Sequence, residues 1–215
     1  MISVVNVTKR FGDNIVLENV NLRFEKGKIY GVVGKNGVGK TVLFKLICGF
    51  MPPTSGEIIV KEKIIRKDID FPASCGIIIE APGFLNNVSG FRNLKLLAQI
   101  NGKITDDKIS ECMTCFGLDP KDKRSVKKYS LGMKQKLGII QAVMEDQEIL
   151  VLDEPMNSLD EESAARVREF LLTAKAEKLI ILASHNKEDI ETLCDEIYLL
   201  ESASSIRKLP LEAVG

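Results

Sequence analysis

The hydrophobic positions of this chain change period several times, and each change marks a different kind of element. Ile2 to Val7 and Ile15 to Phe24 are β-rich runs, parted by the turn Phe11-Gly12-Asp13-Asn14. Lys28 to Val33 reads as a buried strand, Gly34 to Gly39 as a glycine-rich loop and Lys40 to Phe50 as a helix. On that helix Leu43, Leu46, Ile47 and Phe50 recur at i, i+3, i+4 and i+7, one apolar stripe, and Pro52-Pro53 stops it. Glu57 to Val60 and Gly76 to Glu80 are further strands.

From about Asn86 to Glu145 the strand signals vanish. Phe91 to Ile100, Lys108 to Phe116 and Ser130 to Met144 predict three helices, a helical sub-domain of about residues 86–145. Strands and helices then alternate: Ile149 to Leu152, Asp160 to Ala176, Leu179 to Ala183, Lys187 to Cys194 and Glu196 to Leu200. On the long helix Ala164, Val167, Leu171 and Ala174 form the face to be buried. Continuous apolar strands flanked by helices predict an α/β fold with a mainly parallel sheet covered on both faces. The N-terminal runs predict an antiparallel β sub-domain beside it.

Composition bounds this picture. A chain of 215 residues, 45% hydrophobic and 28% charged, suits a single domain, 1–215, with sub-domains. Thirty Lys and Arg balance thirty Asp and Glu, which argues against bulk DNA or an anionic membrane as the main partner. Charge is segregated only locally. Lys121 to Lys136 holds seven basic residues and one acidic, and Glu145 to Glu162 holds eight acidic and none basic. The longest apolar run, Leu179 to Ala183, falls far short of the ~20 residues that span a bilayer. Polar residues from Asn6 to Arg10 break any secretory apolar segment after Met1. The expectation is a cytoplasmic protein. The five scattered cysteines form no disulfide framework, and Cys112 and Cys115 are expected to be small core residues on one helix face.

Candidate chemistry begins at Gly34-Lys35-Asn36-Gly37-Val38-Gly39-Lys40-Thr41, which fits G-x-x-x-x-G-K-[ST] between a strand and a helix. Such a loop turns successive backbone N–H groups inward on phosphate oxygens, and the helix adds its positive end. The motif alone points to a nucleoside triphosphate and no further; with the alternating strands and helices around it, the expected fold is a P-loop NTPase core. Gly34, Asn36, Gly37 and Gly39 are expected to shape the cradle, Lys40 to reach the β- and γ-phosphates, and Thr41 to coordinate Mg²⁺. Asp153 and Glu154 end the apolar strand Ile149 to Leu152, where carboxylates face the ligand crevice of an α/β sheet. Asp153 is expected to hold Mg²⁺ through a water, and Glu154 to orient and deprotonate the attacking water.

Beyond these motifs the chain resembles the ATP-binding domain of ABC transporters, from Ile2 to about Leu200. Tyr129-Ser130-Leu131-Gly132-Met133, followed by Lys134-Gln135-Lys136, occupies the place of the family's signature. Glu154-Pro155-Met156-Asn157-Ser158-Leu159-Asp160 resembles its E-P-x-x-x-L-D run, and Leu182-Ala183-Ser184-His185 its switch-histidine strand end. His185 is the only histidine in the chain.

The resemblance implies a site shared by two such domains packed head to tail, in a homodimer or heterodimer. ATP would lie between the cradle of one and Ser130, Gly132 and the Asp160 loop of the other. It implies hydrolysis of ATP to ADP and phosphate that powers transport, in the direction of export, through separate membrane-spanning permease subunits. The chain itself would sit on the inner face of the membrane and bind no nucleic acid. The contact with those subunits is expected on the helical sub-domain and the segment after Glu80, with Phe84 and Leu85 as candidates.

Four residues, in three motifs, depart from the family's commonest pattern. Phe11 stands where an aromatic ring stacks on adenine. Glu80 replaces a glutamine that touches the metal and the nucleophilic water, so it is both a metal-ligand and a base candidate. Leu131 and Met133 replace glycine and glutamine. The Glu80 and signature departures are similar to the branch that exports peptide antibiotics such as bacitracin and lantibiotics. Two rivals are weaker. ABC-type ATPases that act on ribosomes or DNA usually carry two cassettes or a long coiled coil, and a phosphotransferase needs an acceptor-binding motif that is not evident.

Overall fold

The computed structural model of the chain describes residues 1–80 and 83–210. Strands β1 (Ile2–Phe11) and β2 (Asn14–Phe24) form an antiparallel hairpin with Gly12 and Asp13 at its turn. The first strand therefore runs past Val7 to Phe11. Its alternation is interrupted because the register shifts between Val4 and Val7, where Asn6 takes φ 50°. A bulge of this kind costs the sequence pattern its period without ending the strand. With β4 (Ser55–Val60) and the two-residue β5 (Lys63–Ile64), these strands make a sheet of order β2-β1-β4-β5.

The second sheet holds β3 (Lys28–Gly34), β6 (Cys75–Ile78), β7 (Ile149–Asp153), β8 (Leu179–Ala183), β9 (Glu196–Ser202) and β10 (Ser205–Leu209). Its order is β10-β9-β3-β8-β7-β6, and all neighbours are parallel except β10 on β9. Both faces are covered, so alternate residues of one strand enter different cores. Ile149 and Val151 of β7, with Leu179, Ile181 and Ala183 of β8, pack on helix α1 (Lys40–Ile47), which lies between the two sheets. Leu150, Leu152, Ile180 and Leu182 face the other way. There they meet α2 (Gly90–Asn101), α3 (Asp106–Cys115), α4 (Leu131–Val143), α5 (Glu161–Ala174) and α6 (Lys187–Leu193). Two-sided burial is why these strands read as unbroken apolar runs.

Several expectations are corrected. Helix α1 ends at Ile47, not Phe50: Gly49 turns left-handed at φ 75° and Phe50 N–H closes back on Lys45 O, leaving the Phe50 ring half exposed. The apolar stripe continued past the point where the backbone stops. Strand β6 ends at Ile78 because Glu80 is left-handed at φ 59°. Cys112 is only half-buried and Cys115 is exposed, so the pair does not lie in the core. Ala174 is likewise half-buried, at the end of α5. Phe84 packs against the core, whereas Leu85 is exposed; part of the segment after Glu80, residues 81–82, lies outside the described residues.

Strands β3, β8 and β7 are neighbours, so the loops leaving their carboxyl ends emerge together. That edge carries residues 34–39, 153–160 and 184–186, the crevice position where open α/β sheets bind ligands.

Candidate functional site

The site starts where β3 turns into α1. Gly39 caps the helix in a left-handed conformation, φ 113°, and a Cβ there would press on Val16 and Leu17 at 3.1–3.2 Å. No side chain caps this helix end and no acidic residue occupies its first turn. Its N–H groups and positive end therefore remain available to an anion. The Lys40 ammonium folds back over the loop, donating to Gly34 O at 2.7 Å and Lys35 O at 3.2 Å. Burial lowers its pKa, while the Glu154 and Asp153 carboxylates act to raise it.

A cavity of about 570 Å³ opens here, walled by Asn36, Gly37, Gly39, Lys40 and Thr41 on one side and by Glu80, Asp153, Glu154 and His185 on the other. The sequence therefore placed nine of its candidates around one space. Thr41 Oγ1 donates to Asp153 Oδ2 at 2.7 Å, joining the start of α1 to the end of β7. Among the described residues, no group of three His, Cys, Asp or Glu side chains is arranged to hold a metal ion by itself. A hydroxyl beside a carboxylate instead fits Mg²⁺, a hard ion that keeps waters and shares its shell with phosphate oxygens.

Glu154 is the most constrained residue of the site. It is left-handed at φ 52°, a strain of about 1–3 kcal/mol for a non-glycine residue, and its N–H is tied to Ala183 O at 3.0 Å. Oε2 accepts the backbone N–H of His185 at 3.2 Å. Oε1 is buried, lies 3.4 Å from His185 Nε2 and receives no hydrogen bond. A buried acceptor without a donor is costly, so a water or ligand proton at this point would be stabilised. Burial pushes the Glu154 carboxyl above its ordinary range, although the His185 N–H, the His185 imidazole and Lys40 oppose the rise. The result is a more basic carboxylate facing an open cleft lined by Lys40, Thr41 and His185.

Behind the cavity lies a network with no single-motif signal. Arg168 Nε donates to Asp189 Oδ1 at 2.8 Å, and Ser184 Oγ donates to Asp189 Oδ2 at 2.8 Å. Ser184 Oγ also accepts Asn186 N–H at 3.1 Å, so the loop carrying His185 is braced against α5 and α6. On the cavity wall itself, Gln135 of α4 donates to Glu154 O at 3.1 Å and to Pro155 O at 2.9 Å. Sequence reading missed Arg168 and Asp189, and placed Gln135 only in the run that follows the signature, with no role of its own. An Arg and an Asp on the inner faces of two helices were the signal for the first pair.

The remaining candidates lie off the wall of this cavity. Phe11 is at the end of β1, half exposed, with Lys9 Nζ 5.0 Å from its ring centre. Gly34 contributes its carbonyl to Lys40 rather than a surface. Ser130 is the N-cap of α4, its Oγ accepting Met133 N–H at 3.2 Å. Gly132 packs so closely that a Cβ would stand 2.8 Å from Ser158 O. Asp160 caps α5, accepting the Ser163 N–H and hydroxyl at 2.9 and 2.8 Å; these bonds hold its carboxyl below the usual range. Between Ser130 and Gly132, the exposed Leu131 side chain does reach the cavity wall. Glu80 lies on the wall with its carboxylate paired to Lys45 of α1 at 2.5 Å, a partner sequence reading missed although Lys45 follows Thr41 by one helical turn.

The ABC transporter family model matches residues 17–157 of this chain. An uncharacterised ABC transporter ATP-binding protein of Bacillus subtilis is 45% identical over 196 residues, which is 91% of this chain and 90% of that protein. The bacitracin transport ATP-binding protein of Enterococcus faecalis is 34% identical, over 97% of this chain and 69% of its own length. A lantibiotic transport ATP-binding protein of Streptococcus pyogenes is 36% identical, over 92% and 85%. Among solved structures, an ATP-binding subunit of an ABC transporter superposes with a TM-score of 0.88 at 24% identity, covering 99% of this chain and 90% of that one. A dimeric ATP-binding cassette in a post-hydrolysis state, bound to ADP and Pi, gives 0.85 at 20% identity over 98% and 99%. These two structures share the fold.

Proposed function

This chain belongs to the ABC transporter family as one of its ATP-binding proteins, and on that premise we propose that it hydrolyses ATP to ADP and phosphate to drive transport through separate membrane-spanning permease subunits. The observation that carries the reading is the single cavity in which Lys40, Thr41, Asp153, Glu154 and His185 converge. Lys40 and the loop N–H groups bind the β- and γ-phosphates. Thr41 and Asp153 would hold Mg²⁺, with Glu80 as a reserve oxygen donor; the ion would neutralise charge on the phosphate oxygens. Glu154 Oε1 accepts a hydrogen bond from the nucleophilic water. As the water oxygen bonds to the γ-phosphorus and the bridging oxygen departs with ADP, the proton passes to Glu154. Raised basicity suits that task. His185 steadies Glu154 through its backbone N–H.

We read residues 1–215 as one such unit. The second half of the ATP site comes from a partner cassette, identical or not, that presents its Ser130, Gly132 and Asp160 region. Phe11 is the adenine-stacking ring of this reading. Among the described residues no helix is long and apolar enough to cross a membrane, which suits action through partner subunits on the cytoplasmic face. The transported class we propose is a peptide antibiotic, by likeness to bacitracin and lantibiotic transport proteins. The test is phosphate release at saturating Mg-ATP across a range of protein concentrations. Specific activity that rises with concentration supports a shared site; constant specific activity contradicts it, and no release contradicts hydrolysis.

A further inference from the structure

Three carboxylates, Glu80, Asp153 and Glu154, line one cavity whose wall includes a single ammonium, that of Lys40, among the described residues. A triphosphate entering with its cation adds its own charge to these carboxylates, and neutralising one of them from outside lessens the excess. Lys45 is placed to do so. It follows Thr41 by four residues on α1, so both side chains share one face of the helix. Its Nζ lies 2.5 Å from Glu80 Oε1. The two partners are not equally fixed: the Lys45 side chain is 26% exposed and that of Glu80 is 64% exposed. Lys45 is the anchored member, and Glu80, at a left-handed turn just beyond β6, is the one with room to change partners.

We infer that Lys45 is a positioning residue that holds the Glu80 carboxylate away from the Thr41–Asp153 oxygens and so sets how tightly the cavity takes a divalent cation. The inference rests on the ATP reading above and deepens it. With Lys45 in place, Glu80 is a reserve ligand that must leave an ion pair before it can join the metal. Without Lys45, a hard anionic oxygen becomes available beside Thr41 and Asp153, and the cation binds more tightly. A glutamine at position 80 could accept a hydrogen bond from Lys45 but would offer it no charge, so it would be held less firmly.

The test is Mn²⁺ binding in the presence of saturating ADP, read as loss of the free-ion electron paramagnetic resonance signal, so that turnover plays no part. Lys45→Met should tighten Mn²⁺ binding about tenfold, the scale on which outer partners tune metal affinity. Lys45→Arg should stay near wild type. Glu80→Gln should abolish the sensitivity, so that the Lys45→Met/Glu80→Gln pair matches Glu80→Gln alone. Affinity within twofold of wild type for Lys45→Met, weaker binding, or an equal shift in the Glu80→Gln background overturns the role of Lys45. A wild-type chain that binds neither ADP nor Mn²⁺ with ADP defeats the ATP reading and this inference together. Wild-type binding with an insensitive Lys45→Met defeats the inference alone.

Discussion

Thr41 Oγ1 and Asp153 Oδ2 stand 2.7 Å apart, one on the first turn of α1 and the other at the last residue of β7. The phosphate loop and the acidic strand end are thereby locked to each other before any ligand binds. A metal held there would take its position from two elements anchored in the core, α1 and β7.

Thr41→Val keeps the volume and removes the hydroxyl. The Mg²⁺ concentration needed for half-maximal turnover should rise about 10- to 100-fold, the usual cost of disturbing a metal's ligand shell. A magnesium titration of phosphate release checks it. An unchanged midpoint removes Thr41 from the metal site.

Glu154→Gln preserves shape and the His185 N–H contact but cannot take a proton. Turnover should fall by about 10²- to 10⁴-fold while nucleotide affinity stays close to wild type. Single-turnover assays beside equilibrium binding separate the two quantities. If turnover survives, Glu80 becomes the better base candidate.

Arg168 and Asp189 form a buried ion pair, and Asp189 is almost fully enclosed. Arg168→Met leaves that carboxylate unpaired and should cost about 3–5 kcal/mol. The thermal midpoint should drop by about 6–20 °C. Replacing both partners by apolar residues should recover most of the loss. A double variant as unstable as the single one shows that the pair matters for more than its charge.

The Asp146 carboxyl is held below its usual range by the hydrogen bond and charge of Lys178, whose ammonium is buried. A carboxyl whose folded value lies below its unfolded value, about 3.9, stabilises the protein above that pH and loses its contribution as pH falls. Asp146→Asn should therefore be less stable than wild type at pH 7, with the gap closing towards pH 3. Urea midpoints at pH 7, 5 and 3 read this directly, and a gap that widens on acidification contradicts it.

Much of this site was legible in the sequence because its parts are local. The cradle from Gly34 to Thr41 and the Asp153-Glu154 strand end each carry their own pattern, and the parallel sheet brings their loops to one edge. What escaped depends on contacts between distant residues. Lys45 and Glu80 lie 35 positions apart, and Arg168 and Asp189 sit on different helices. Apolar periodicity also overran its reach at Phe50, where Gly49 had already turned the chain. The two-residue β5 was too short to leave a periodic trace. Ser130, Gly132 and Asp160 lie off the cavity wall in this chain, and their proposed role belongs to a partner's site.

The central claim is that the loop around Lys40 grips the phosphates of ATP. Isothermal titration of Mg-ATP into wild type and Lys40→Ala tests it most directly. One nucleotide should bind per chain in wild type, and Lys40→Ala should weaken affinity by about 10- to 100-fold, the loss of about 1.5–3 kcal/mol expected for a charge-assisted hydrogen bond. No heat in wild type, or equal affinity in the two proteins, contradicts the account.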